Sequence, residues 1–303
     1  MQTVAESRPW RAWLAGVAAA VLAGVVGGGI AWLGPEIIDG PATKDAVRDA
    51  TGHDDEFRHT VQFLDPGYDL VLPVGMRLTD RQRRYLDNWN LDYRDPGGYS
   101  LNKLIDDLRK AGGASPNALQ LAITLEGRRN QPIHVDDIRP FDIQYAPAYS
   151  GTFLNIPPQG PGETVKVMFD FDELEPRART AVDNGGEYEP GALFFQEQTL
   201  TIEDSKQDTI FVKSIVTTRA VTFNIRIDYR IGDERGHALI DHDGHPFALS
   251  PMNCTSRSQL DPEGGLVSEG TASYSKIWAL RGDFQGIDPV PGPGRFEVGY
   301  PYC

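Results

Sequence analysis

Residues 221–231 read Val221-Thr-Phe-Asn-Ile-Arg-Ile-Asp-Tyr-Arg-Ile231, and their alternation is unbroken. Val221, Phe223, Ile225, Ile227, Tyr229 and Ile231 fall on one side; Thr222, Asn224, Arg226, Asp228 and Arg230 fall on the other. A period of two belongs to a β-strand, with one face on a core and the other in water. The same pattern recurs upstream. Leu119, Leu121, Ile123 and Leu125 alternate with Gln120, Ala122, Thr124 and Glu126. Phe141, Ile143 and Tyr145 alternate with Asp142 and Gln144, and Val165, Val167, Phe169 and Phe171 with Lys166, Met168, Asp170 and Asp172. Further strands are expected near 151–156, 199–202, 210–216, 237–240 and 246–249. Gly, Pro and Asp turns separate them, and no helices alternate with them. The expected fold is mainly β: an antiparallel immunoglobulin-like β-sandwich over residues 118–250.

Two amphipathic helices precede it. Thr79 caps a segment in which Tyr85, Leu86 and Trp89 share a face; Ser100 opens another with Leu101, Leu104, Ile105 and Leu108, stopped by Gly112-Gly113. Residues 57–117 therefore read as a small helical annex. Arg81, Arg83 and Arg84 read as a solvated helix face, because no glycine-rich loop or second basic cluster accompanies them in the sequence. Residues 251–303, rich in Gly and Pro, read as a loop-rich extension packed on the sandwich.

Further toward the N-terminus, residues 12–33 carry no charge and no proline. About 22 such residues span roughly 33 Å as a helix, against about 30 Å of bilayer hydrocarbon. Trp10, Trp13 and Trp32 stand near the ends, where indole favours the headgroup region. A cleaved signal peptide is the rival, but its apolar stretch is usually only about 7–15 residues. The segment is therefore expected to be a single transmembrane helix, between a tail (1–11) and a charged stalk (34–56). Arg8 and Arg11 sit closer to the span than Lys44 and Arg48, which places the N-terminus in the cytoplasm and the large domain outside. Gly24 and Gly28 form a G-x-x-x-G pair, one face on which two such helices could dimerise; single anchors also carry such glycines without pairing.

The formal charge of −14 and a pI near 4.8 argue against sequence-independent nucleic-acid binding, which needs a basic face. Two cysteines, Cys254 and Cys303, are too few for a disulfide scaffold and lack zinc-site spacing. Outside the cytoplasm an even count reads as one disulfide.

Leu125-Glu-Gly-Arg-Arg129, then Ile133-His-Val-Asp-Asp-Ile138-Arg-Pro140, the long alternating strand and Asp243-Gly-His-Pro-Phe247 resemble single-span membrane proteins of GC-rich Gram-positive bacteria. The resemblance covers residues 70–250. It implies topology and class, with no site attached.

Three kinds of pattern bear on chemistry. No nucleophile elbow, S-x-x-K or cofactor motif is present, so no catalytic residue of that kind and no cofactor is expected. Asp241, His242, Asp243 and His245 gather four metal-ligand types in five residues, yet Asp243-Gly244 is also a type I′ hairpin signal whose flanking polar groups are simply exposed. Asp170 and Asp172 share a strand face about 7 Å apart, a spacing open to glycoside hydrolysis, but Lys166 beside them marks an ordinary charged surface. The aromatics of Tyr145–Tyr149 and Tyr300–Tyr302 could stack on sugars or cap a sandwich edge. The expected function is a membrane-anchored, extracytoplasmic, non-catalytic interaction module for an envelope protein or polymer. The rival is a glycan-directed envelope hydrolase using Asp170 and Asp172.

Overall fold

The computed structural model describes residues 57–298, apart from 65–67, 91, 128–130, 157–164, 186, 204–205, 255–258, 261–265, 269, 284 and 291–294. The expected tail, anchor and stalk, Gly24 and Gly28, and Cys303 lie outside the described residues. Among the described residues no helix is long and apolar enough to cross a membrane.

In chain order, β1 (Phe57–Phe63) and the short β2 (Leu70–Val71) precede helices α1 (Asp80–Asn88) and α2 (Leu101–Lys110). Then come β3 (Ser115–Pro116), β4 (Ala118–Gly127), β5 (Ile133–Ala146), β6 (Thr152–Asn155) and β7 (Val167–Asp170). The antiparallel pair β8 (Arg179–Asn184) and β9 (Glu187–Leu193) leads through the one-turn α3 (Phe194–Glu197) to β10 (Leu200–Ile202). β11 (Gln207–Ile215), β12 (Ala220–Ile231), β13 (Glu234–Ile240) and β14 (Phe247–Ser250) complete the central part. Beyond it lie β15 (Gln259–Leu260), β16 (Leu266–Ser268), β17 (Gly270–Ser273), β18 (Lys276–Leu280), β19 (Ile287–Pro289) and β20 (Arg295–Val298).

The protein is mainly β, as its alternation requires. One sheet runs β1-β4-β11-β7-β8-β9, and a second runs β10-β5-β12-β14-β3 with β13 also on β12. Their inner faces share a single core. Leu121, Ile123, Val167, Phe169 and Val212 come from the first, and Ile138, Phe223, Ile225, Ile227 and Leu249 from the second. All six apolar residues of 221–231 are buried. Phe223 stacks at a tilt on Phe171 (4.5 Å) and on Phe247 (5.7 Å), which ties β12 to both its own sheet and the facing one.

Two expectations need correcting. The sheets are not purely antiparallel: β7 pairs β11, β3 pairs β14 and β6 pairs β18 in parallel. A parallel pair needs a long crossover, and between β7 and β11 the chain supplies one through β8, β9, α3 and β10. Second, Phe141 and Tyr145 are 41% and 36% exposed, whereas Ile138 and Pro140 just before them are buried. The register against β12 slips between Thr222 and Asn224, and Asp142 takes φ +51°. That bulge turns Phe141 outward beside Asn224, while Ile143 beyond it still packs on the core, so the alternation is right in period and fails at Phe141.

The helices sit on a smaller sheet, β19-β18-β6-β2. Its two faces follow the alternation of its strands. Leu70, Leu154 and Trp278 pack with Leu86, Leu104 and Leu108 of the helices; Val71, Phe153 and Ile277 turn the other way onto Met252, Ala272 and Tyr274. Thr79 and Gln82 form a reciprocal capping box at α1, and Ser100 Oγ accepts from Lys103 N at α2. Gly112 at φ +100° ends α2, a conformation costly for any residue with a Cβ.

Candidate functional site

The turn between β13 and β14 is held on α2 and on the outer edge of β1, and the three elements line a cleft of about 550 Å³. The turn itself is the hairpin that Asp-Gly signals. Asp243 (φ +52°) and Gly244 (φ +83°) are its two central residues, and His242 and His245 exchange backbone hydrogen bonds of 2.8 and 3.1 Å across it. Asp241 Oδ1 accepts from Gly244 N at 2.8 Å, so its carboxylate is used inside the turn. His245 is exposed.

His242 and Asp243 point elsewhere. His242 Nε2 lies 2.8 Å from Asp106 Oδ1 of α2, and its ring meets Phe63 edge-on at 4.8 Å. Lys110, four residues after Asp106 on the same helix face, reaches Asp243 Oδ2 at 2.7 Å and Asp106 Oδ2 at 3.2 Å. The Arg109 guanidinium stacks on the Phe63 ring at 3.9 Å.

Among the described residues, Asp106, His242 and Asp243 form the set able to offer metal ligands together, their atoms lying within 4.8 Å of one another. The donor set of one imidazole and two carboxylates suits a divalent ion such as zinc. Lys110, however, places an ammonium between the two carboxylates, in the position a bound cation would take. Of the four residues proposed from sequence, His242 and Asp243 enter this cluster, and Asp241 and His245 serve the turn.

Burial sets the protonation here. Desolvation holds His242 below the ordinary histidine value, against the pull of Asp106, which raises it. A neutral ring with Nε2–H donating to Asp106 satisfies both. His59, exposed on the β1 edge of the cleft, is lowered too by partial desolvation, with Asp241 opposing. Asp106 feels desolvation upward, but the Lys110 ammonium and His242 bring it below the carboxylate range.

Asp170 and Asp172 lie apart from this cleft, at the end of β7. Asp172 is a clamp: Oδ2 accepts from Thr217 N and Oγ1 (both 2.7 Å), Oδ1 from Thr218 N (3.1 Å) and Oγ1 (2.6 Å). Desolvation raises its pKa, but these four bonds outweigh that and leave it lowered. Asp170 is raised, chiefly by burial and also by the neighbouring Asp172 and Glu173 charges. Tyr145 donates to Phe171 O at 3.2 Å, with the Arg219 guanidinium 4.2 Å from its ring.

Sequence reasoning missed Asp106, Lys110, His59 and Phe63. Asp106 and His242 are 136 residues apart, and only the seating of α2 against the β13–β14 turn joins them. No protein-family model matches the chain, and no curated protein matches it.

Proposed function

We propose that the chain is a single-pass membrane protein whose acidic β domain is a non-catalytic interaction module outside the cytoplasm. It would recognise an envelope protein or polymer, as the resemblance to single-span proteins of GC-rich Gram-positive bacteria implies. The observation that carries this reading is the uncharged run of residues 12–33, joined by a polar segment to a β-rich unit. A full spanning length without a charge is hard to place in any aqueous structure. In this reading the N-terminus is cytoplasmic and Gly24 and Gly28 offer a dimerisation face.

The sandwich is taken as immunoglobulin-like, which its two facing sheets and shared core support; the parallel pairs are local departures. A Cys254–Cys303 disulfide belongs to the same reading. The backbone of Cys254 forms a β-bridge with Ala272, which pairs with Phe296 of β20. Two strand spacings separate Cys254 from Phe296, roughly 10 Å, and the chain after Val298 can extend about 16 Å to Cys303.

The reading is tested by membrane fractionation. The full chain should stay with membranes through alkaline extraction, and deletion of residues 12–33 should release it. Retention of the deleted form, or release of the intact one, overturns the anchor. An envelope partner should then co-purify with the detergent-extracted chain.

One observation favours the hydrolase alternative: Asp170 and Asp172 have pKa values driven in opposite directions, as an acid and base would. Against it, both Asp172 oxygens are engaged by Thr217 and Thr218. Loss of a measured glycan-hydrolysing activity in Asp170→Asn/Asp172→Asn, with the fold intact, would establish the alternative.

A further inference from the structure

A second cleft, of about 510 Å³, opens between the segment leading into α1 and the start of β6 and β18. Its walls carry Arg77, Arg83 and Lys276, with Thr152, Trp278 and Met76 beside them, and no carboxylate among the lining residues. In a chain of formal charge −14 this is a local reversal of sign. Sequence spacing gave the α1 arginines no second basic cluster. The fold supplies it, because parallel pairing of β18 with β6 sets Lys276 against Thr152. Gly151 allows the walls to meet: its backbone N donates to Leu72 O at 3.1 Å, and a Cβ there would stand 2.4 Å from Pro73 O.

The charges and the polar atom are available. Arg83 is shared with Asp80, an i,i+3 neighbour outside the lining. Arg77 and Lys276 make no ion pair among the described residues and are exposed at the mouth. Thr152 is only 6% exposed, lines the cleft, and its hydroxyl has no hydrogen-bond partner among the described residues. The hydroxyl opens onto the cleft rather than being sealed in the core, so a ligand there can take its hydrogen bond in place of water. Trp278 is 7% exposed and offers an indole surface at the same wall.

We propose that this cleft binds a phosphate-class oxyanion carried on a sugar-sized organic body. Arg77, Arg83 and Lys276 would grip the oxyanion, the Thr152 hydroxyl would donate to it, and Trp278 with Met76 would contact the body. The inference uses only residues of the β-rich unit and stands whichever side of a membrane that unit occupies.

The test is calorimetric titration of the full-length chain in neutral detergent with inorganic phosphate, glucose 1-phosphate and glucose. Glucose 1-phosphate should bind most tightly, phosphate less so and glucose not measurably. Arg77→Gln/Lys276→Gln should weaken both anions by about tenfold or more, since each charge-assisted bond is strong. Thr152→Val keeps the shape and should weaken binding several-fold without lowering Tm, which a merely structural threonine would not do. No saturable binding of either anion, or binding untouched by the double substitution, would overturn the proposal. Glucose binding as tightly as its phosphate would overturn the oxyanion assignment, and equal affinity for the two anions would overturn the role of Trp278.

Discussion

Thr217 and Thr218 each donate a backbone N–H and a hydroxyl to Asp172, so one carboxylate fixes the connection between β11 and β12. Asp172→Ala should lower stability by roughly 1–3 kcal/mol, the range for hydrogen bonds to a partly solvated charged group, read from chemical denaturation. Its lowered pKa gives the sign of the pH effect: the stabilisation is full above the unfolded carboxylate value and is lost as pH falls through the folded one. His242 works in a different pH window. Its folded pKa is held below 6.5 by burial, so the unfolded chain takes up the proton first and stability declines as pH falls from about 7 toward 5. His59 adds a slope of the same sign. Asp106 and Lys110 on α2 and Asp243 on the turn face His242 and stay charged through that window. His242→Gln should flatten the dependence of Tm on pH between 7 and 5; an unchanged slope would mean that His242 is not the group titrating. None of this was legible in the sequence. Asp172 read as one of a charged pair because its partners come 45 residues later, and nothing around Asp106 points to a partner 136 residues away.

At the scale of elements, the strand 221–231 was fully legible, because burial on one face writes its period directly into the residues. The helices were legible for a similar reason, with Thr79 and Ser100 marking their starts. β5 was legible in period and at Ile143 but misread at Phe141, since a bulge is a backbone event that leaves no trace in alternation. The β8–β9 pair was not legible at all: its residues are exposed or half-buried, so no face is imposed on them. These differences predict a contrast between two phenylalanines. Phe223→Ala removes a fully buried ring and should cost about 3–5 kcal/mol, while Phe141→Ala, on the exposed side of the bulge, should cost less than about 1 kcal/mol. Equal costs would contradict the placement of the bulge. Asp142→Gly should be tolerated and Asp142→Val should not, because β-branched residues resist φ near +51°.

For the whole molecule, two clefts on the described unit differ in kind. One is already neutralised by its own Lys110, and the other holds two cations, Arg77 and Lys276, that make no ion pair among the described residues. The proposed disulfide would close a loop of about 50 residues and add up to ~4 kcal/mol in the chain-entropy model. Thiol titration of the denatured, unreduced chain should find no reactive cysteine; two per chain would refute the bond. That bond also depends on the compartment, since disulfides persist where the surroundings are oxidising. Topology is therefore the centre of the account, and protease treatment of intact, wall-stripped cells tests it most directly. With tags at both ends, the account predicts digestion of residues 57–303 while the N-terminal tag survives; full protection of residues 57–303 would contradict it.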